Sequence, residues 1–123
     1  MLLFKRKELE EEFQASPLKS DLRFIVYAVA GWFDFLGLGN IVVTDIWRND
    51  PNSVHHFWRG IDIVPEDRDE NKMNLIRDFI NEHFQYDAAR PKKDVVPNIH
   101  HGTAPHDHLQ SPSLRMLQFR LKL

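Results

Sequence analysis

There is no cysteine among the 123 residues. That excludes disulfides, thiolate metal sites and cysteine nucleophiles, so any metal must be held by histidine and carboxylate. The compartment stays open, because a cysteine-free chain is stable in reducing and oxidising surroundings alike. An excess of charge is missing too: the formal net charge is -2, with Lys and Arg spread along the chain. This argues against an electrostatic nucleic-acid binder. Long uninterrupted apolar runs are also absent. The most apolar stretch, "FIVYAVAGWFDFLGLGNIVV", is broken by Asp34, Asn40 and several glycines, and reads as buried helix, turn and strand rather than as a membrane span. The opening "MLLFKRKELEEEF" does not have the form of a signal peptide, since four apolar residues run straight into dense charge.

What is present is material for a core. The chain is 42% hydrophobic and 11% aromatic, and its length suits one domain rather than two. Residues 1–16 read as a short charged helix or an arm. A helix is expected from Ser20 or Asp21, either of which can cap it, with Leu22, Ile25, Val26, Val29 and Phe33 at helical spacing and Gly37 and Gly39 ending it. "NIVVTDIW" reads as a strand and "NDPNS" as a turn. "GIDIVP" reads as a second strand, with Ile61 and Ile63 on one face and Asp62 on the other. The clearest helix is "EDRDENKMNLIRDFINEHF", striped by Met73, Ile76, Phe79, Ile80 and Phe84. Beyond it lie a loop-rich segment with a short strand expected at Val95 and Val96, a strand "HDHLQ", and residues 111–123 as an amphipathic tail, strand or helix, packing on the domain. The whole predicts an α+β fold, a small single domain with a central antiparallel sheet flanked by helices.

Six of the seven histidines fall in two clusters, His55/His56 and His100/His101/His106/His108. His-x-His on a strand places both imidazoles on one face, with α-carbons about 7 Å apart. Asp62 is a carboxylate where an apolar residue would be ordinary, and if it faces inward it needs a cation or several donors. Two histidines and a carboxylate form a common zinc ligand set that leaves a fourth position for water. Zinc lowers the pKa of such water toward about 7. The resulting nucleophile can attack a carbonyl if a base takes the proton and a cation steadies the oxyanion.

Three stretches together carry a resemblance. "SVHHFWRGID" resembles the Ser-x-His-(six residues)-Asp motif of the zinc D-Ala-D-Ala carboxypeptidases and dipeptidases, and of the related L-Ala-D-Glu endopeptidases of bacterial peptidoglycan. "HDHLQ" resembles that family's last motif in its His-x-His form, and "TDIWR" its Thr-Ser-Gly-Tyr-Arg strand end. The three occur in family order over roughly Ile41 to Gln110. The resemblance implies a zinc metallopeptidase with His55, Asp62 and His108 as metal ligands. It further implies that Arg48 holds the substrate's carbonyl oxygen or terminal carboxylate, and that His106 is the base or orients the water. Ser53 would line the substrate site or brace the loop carrying His55. The implied partner is a peptidoglycan stem peptide or D-amino-acid peptide, met in the cytoplasm or, for a phage-delivered enzyme, at the cell wall.

The chain departs from the family at Trp58 and Gly60, where a Gly and a small residue are usual. It departs again at Pro105, where the carboxypeptidase branch has a Glu; this favours the His-x-His branch. His56, His100 and His101 are expected on a polar rim beside the cleft, with His101 able to touch substrate. Two other readings stay open. One is a catalytically degenerate member of the fold kept as a binding or assembly module. The other is a 2-His-1-carboxylate iron enzyme, although that triad usually begins with a His-x-Asp/Glu pair on one strand.

Overall fold

The computed structural model describes residues 1–15, 17–97, 99–100, 104–113 and 115–120. A sheet of order β1-β2-β3-β6-β5 forms its centre. The strands are β1 (Leu2–Phe4), β2 (Ile41–Asp45), β3 (Gly60–Pro65), β6 (His106–Gln110) and β5 (Ile99–His100). The pairings β2–β3, β3–β6 and β5–β6 are antiparallel. β1 runs parallel to β2, so the expected antiparallel sheet is in fact mixed. The fold is α+β as expected. The edge strand is parallel because two helices intervene between it and its partner, and only such a crossover returns the chain in the same direction.

The helices are α1 (Lys7–Gln14), α2 (Ser20–Leu36) and α3 (Glu70–His83). In α1, Leu9 and Phe13 are buried, four residues apart on one face. α2 buries Leu22, Ile25, Val26, Val29 and Phe33 and ends on Gly37 in the left-handed region (φ 68°), where glycine has no steric penalty. α3 starts later than its sequence pattern suggests, because the Asp69 carboxylate accepts hydrogen bonds from the backbone N–H groups of Asn71 and Lys72 and so fixes the first turn. These helical residues share one core with Ile41, Val43, Ile61, Ile63 and Leu109 of the sheet. Each such side chain, fully buried, contributes roughly 1.5–3 kcal/mol of transfer free energy.

Two local expectations are corrected. Neither Ser20 nor Asp21 caps α2 through its side chain; Lys19 occupies the cap position. The buried Asp21 instead accepts hydrogen bonds from the Ser111 hydroxyl (2.7 Å) and the Leu117 N–H (2.9 Å), tying the tail to the helix. Val95 and Val96 are buried but form a bend, not a strand. Their backbone is used otherwise: the Val95 carbonyl accepts from Gln110 N–H, and the Asn81 side chain bonds Val96 at both its N–H and its carbonyl. The tail supplies β7 (Gln118–Phe119), paired with β4 (Phe84–Gln85) in a separate two-stranded ribbon.

Candidate metal centre

The strand period of two sorts the residues of β3 and β6 between two faces. Ile61, Ile63 and Leu109 join the helical core. Asp62 and His108 are directly opposite one another in the β3–β6 register, on the other face. His55 arrives from a 3-10 turn, Val54–Phe57, in the β2–β3 connection. There the Ser53 hydroxyl oxygen accepts the His55 backbone N–H at 3.2 Å, so Ser53 braces the turn that carries the imidazole. The turn closes on Trp58 with φ 58°, a left-handed conformation that a glycine adopts without cost.

Three ligand atoms converge. His55 Nε2 lies 3.2 Å from Asp62 Oδ1 and 3.2 Å from His108 Nδ1, and His108 Nδ1 lies 2.8 Å from Asp62 Oδ1. On the far side of its ring, His55 Nδ1 is 2.6 Å from the Ile46 carbonyl. A carbonyl only accepts, so Nδ1 carries the hydrogen and, in the neutral imidazole, Nε2 presents its lone pair to the cluster. A single proton on His108 Nδ1 satisfies the contact with Asp62 but leaves the His55 lone pair facing a carboxylate. Either His55 is an imidazolium, or one cation is shared by all three groups. Tetrahedral zinc with bonds of 2.0–2.1 Å spaces its ligand atoms by about 3.3–3.4 Å, close to the two separations of 3.2 Å and wider than the one of 2.8 Å. The donor set, its spacing and the oriented His55 ring therefore fit a divalent metal, and the backing of His55 by a carbonyl is the usual support for a ligating histidine.

The electrostatics agree. Burial pushes the Asp62 carboxyl upward, but hydrogen bonds to His108 and His55 outweigh it and hold the group well below the usual carboxylate range. For His55, burial lowers the pKa, yet the bond to Asp62 and its charge raise it on balance. Each group thus favours the other's charged form. His55 and Asp62 are closed off, at 2% and 4% side-chain exposure, while His108 and His106 stand at 21% and 23%. The cluster is sealed on one side and open on the other, as a site that must admit a reactant requires.

Two further residues stand on the open side. His106 Nε2 is 3.4 Å from Asp62 Oδ2, and its Nδ1 lies 3.1 Å from the Ala104 carbonyl. The Arg48 guanidinium is 3.7 Å from the same Asp62 oxygen and is hydrogen-bonded to Asp45 Oδ2. Asp45 is absent from the sequence reading. A β-bulge between Val43 and Asp45 breaks the β2–β3 register and sets Asp45 opposite Asp62; bulges commonly re-aim side chains in this way. The three-residue interval from Asp45 to Arg48 was the one available signal. Gly60, the first residue of β3, stands against both imidazoles. A β-carbon there would lie 2.8 Å from Val54 Cγ2, 3.2 Å from His108 Cε1 and 3.4 Å from His55 Cδ2, so its missing side chain makes room for both imidazoles.

His56 stands beside the cluster, its Nδ1 3.2 Å from the Arg48 carbonyl and its ring 5.8 Å from that of Trp47. His101 lies outside the described residues, as does the side chain of His100. Asp107, between the two strand histidines, points into the core and has no hydrogen-bond partner among the described residues. No protein-family model matches the chain, and no curated protein matches it. Among the described residues no helix is long and apolar enough to cross a membrane.

Proposed function

We propose that the protein is a zinc-dependent metallopeptidase acting on peptidoglycan peptides, at bonds of the D-Ala-D-Ala or L-Ala-D-Glu type. The observation that carries the reading is the meeting of His55 Nε2, Asp62 Oδ1 and His108 Nδ1 within 3.2 Å of one another, from two stretches, "SVHHFWRGID" and "HDHLQ", that resemble that family's motifs. When bound, zinc supplies Lewis-acid polarisation and a lowered water pKa. The chain's own residues do the rest. His55 and Asp62 form the closed wall, and the Ile46 carbonyl fixes the His55 ring. Arg48, steadied by Asp45, offers a planar cationic fork to a substrate carbonyl or carboxylate oxygen. His106, on the open side, takes a proton as general base or orients the attacking water. Trp47 and Phe57, both exposed, flank the ring of His56.

Cleavage of purified peptidoglycan fragments, with and without a chelator, tests the proposal. Cleavage that stops when zinc is removed and returns when it is restored is expected. Unchanged cleavage in verified metal-free protein contradicts it. A second reading, a binding module that holds zinc without turnover, is favoured by Pro105 at the position of the carboxypeptidase glutamate. It gains if the zinc-loaded protein cleaves nothing across a broad panel of stem peptides.

A further inference from the structure

A polar cavity of about 240 Å³ lies between the loop that follows β4 and the segment that follows β6. Its lining includes Arg59, Arg90 and Arg115, together with Tyr86 and Asp87. Three guanidinium groups thus face one carboxylate, and that carboxylate is already engaged, with Arg115 Nη1 3.1 Å from Asp87 Oδ1. Arg59 is anchored through Nε, which donates to the Ser111 carbonyl at 3.0 Å. Among the described residues, its other nitrogens find only the Tyr86 hydroxyl, at 3.5 Å. Tyr86 is 2% exposed, and its ring carries the Arg90 guanidinium at 5.7 Å and the Lys93 ammonium at 5.5 Å.

Cations gathered in this way repel one another, and a partly enclosed wall sharpens the repulsion. A bound anion relieves it, and guanidinium forks match the oxygen geometry of phosphate. The volume is below the roughly 300–1,000 Å³ of pockets for drug-sized ligands, which suits a small oxyanion. We propose that the cavity bounded by Arg59, Arg90, Arg115 and Tyr86 is a binding site for a phosphate-class oxyanion. This inference is independent of the peptidase reading.

Titration of the full-length, chelator-treated protein with inorganic phosphate, at constant ionic strength set with chloride, tests it. Removing metal keeps phosphate from binding an ion. Saturable shifts in the backbone amide signals of Tyr86, Asp87 and Arg90 are expected. Arg90→Gln and Arg115→Gln, at exposed positions that spare the Arg59 anchor, should each weaken binding about tenfold through loss of a charge-assisted hydrogen bond. Absence of a saturable shift at these amides overturns the proposal. So does phosphate affinity in both variants equal to that of the unaltered chain.

Discussion

Gly60 has room for a hydrogen and little else. The 2.8 Å separation that a β-carbon would have from Val54 Cγ2 is inside van der Waals contact, and the atoms that must yield belong to the turn carrying His55. Gly60→Ala should therefore cost about 1–3 kcal/mol of stability, in the range of overpacked sites. It should also lower zinc affinity about tenfold or more, as loss of ligand support does. Denaturant unfolding and competition with a chromophoric chelator measure the two effects. Asp107 poses a different problem at the same scale. Burial, opposed by Arg77 and reinforced by Asp78, pushes its carboxyl up to about 8. The folded state then binds a proton that the unfolded chain releases near the ordinary carboxylate value of 3.8. Its contribution to stability is thus most favourable below that value and declines as pH rises to about 8. Asp107→Asn removes this titration. The variant's melting temperature, relative to the unaltered chain, should rise steadily over that interval; a constant difference would contradict the account. The outward and inward sorting of His106, Asp107 and His108 was legible from strand alternation alone. The burial of Asp107 without a described partner was not, because nothing in "HDH" says what covers the second face.

Among the elements, the turn and the bulge decide how the site is presented. The 3-10 turn at Val54–Phe57 is short, and short helices depend on their caps. Ser53→Ala removes the acceptor for the His55 N–H and should cost about 1 kcal/mol, with a smaller loss of zinc affinity than Gly60→Ala produces. The β2 bulge has a more specific consequence. The register shift after Val43 sets Asp45 opposite Asp62, where it holds Arg48. On the proposed peptidase reading, Asp45→Asn should raise KM for stem peptide while leaving zinc content unchanged, the signature of a loosened substrate contact rather than a lost ligand. Strands β3 and β6 were legible to the residue, since "GIDIVP" and "HDHLQ" combine alternation with flanking breakers. The bulge was not, because a one-residue slip leaves no mark in the pattern "IVVTD" and arises only when β2 is laid against β3. The parallel placement of β1 was hidden for the same reason: three residues, Leu2–Phe4, carry too little pattern to declare a partner strand.

At the scale of the whole molecule, one sheet divides two tasks. Its helix-covered face holds the core that fixes β3 and β6, and its other face turns that rigidity into the placement of Asp62 and His108. Rigid strands hold ligating groups more narrowly than loops do. A metal that binds the folded chain and not the unfolded one stabilises by mass action, about 2.7 kcal/mol at a free concentration a hundredfold above Kd. For a chain of this length that corresponds to a rise in Tm on the order of 10 °C, which chelation should reverse. The central claim is that His55, Asp62 and His108 share a single ion. Its most direct test is zinc stoichiometry in protein prepared without a histidine tag, measured for the unaltered chain and for His108→Ala and Asp62→Asn. One zinc per chain, lost in both variants while each remains folded, is the predicted result. Zinc bound equally in the variants, or by none of the three proteins, would contradict it.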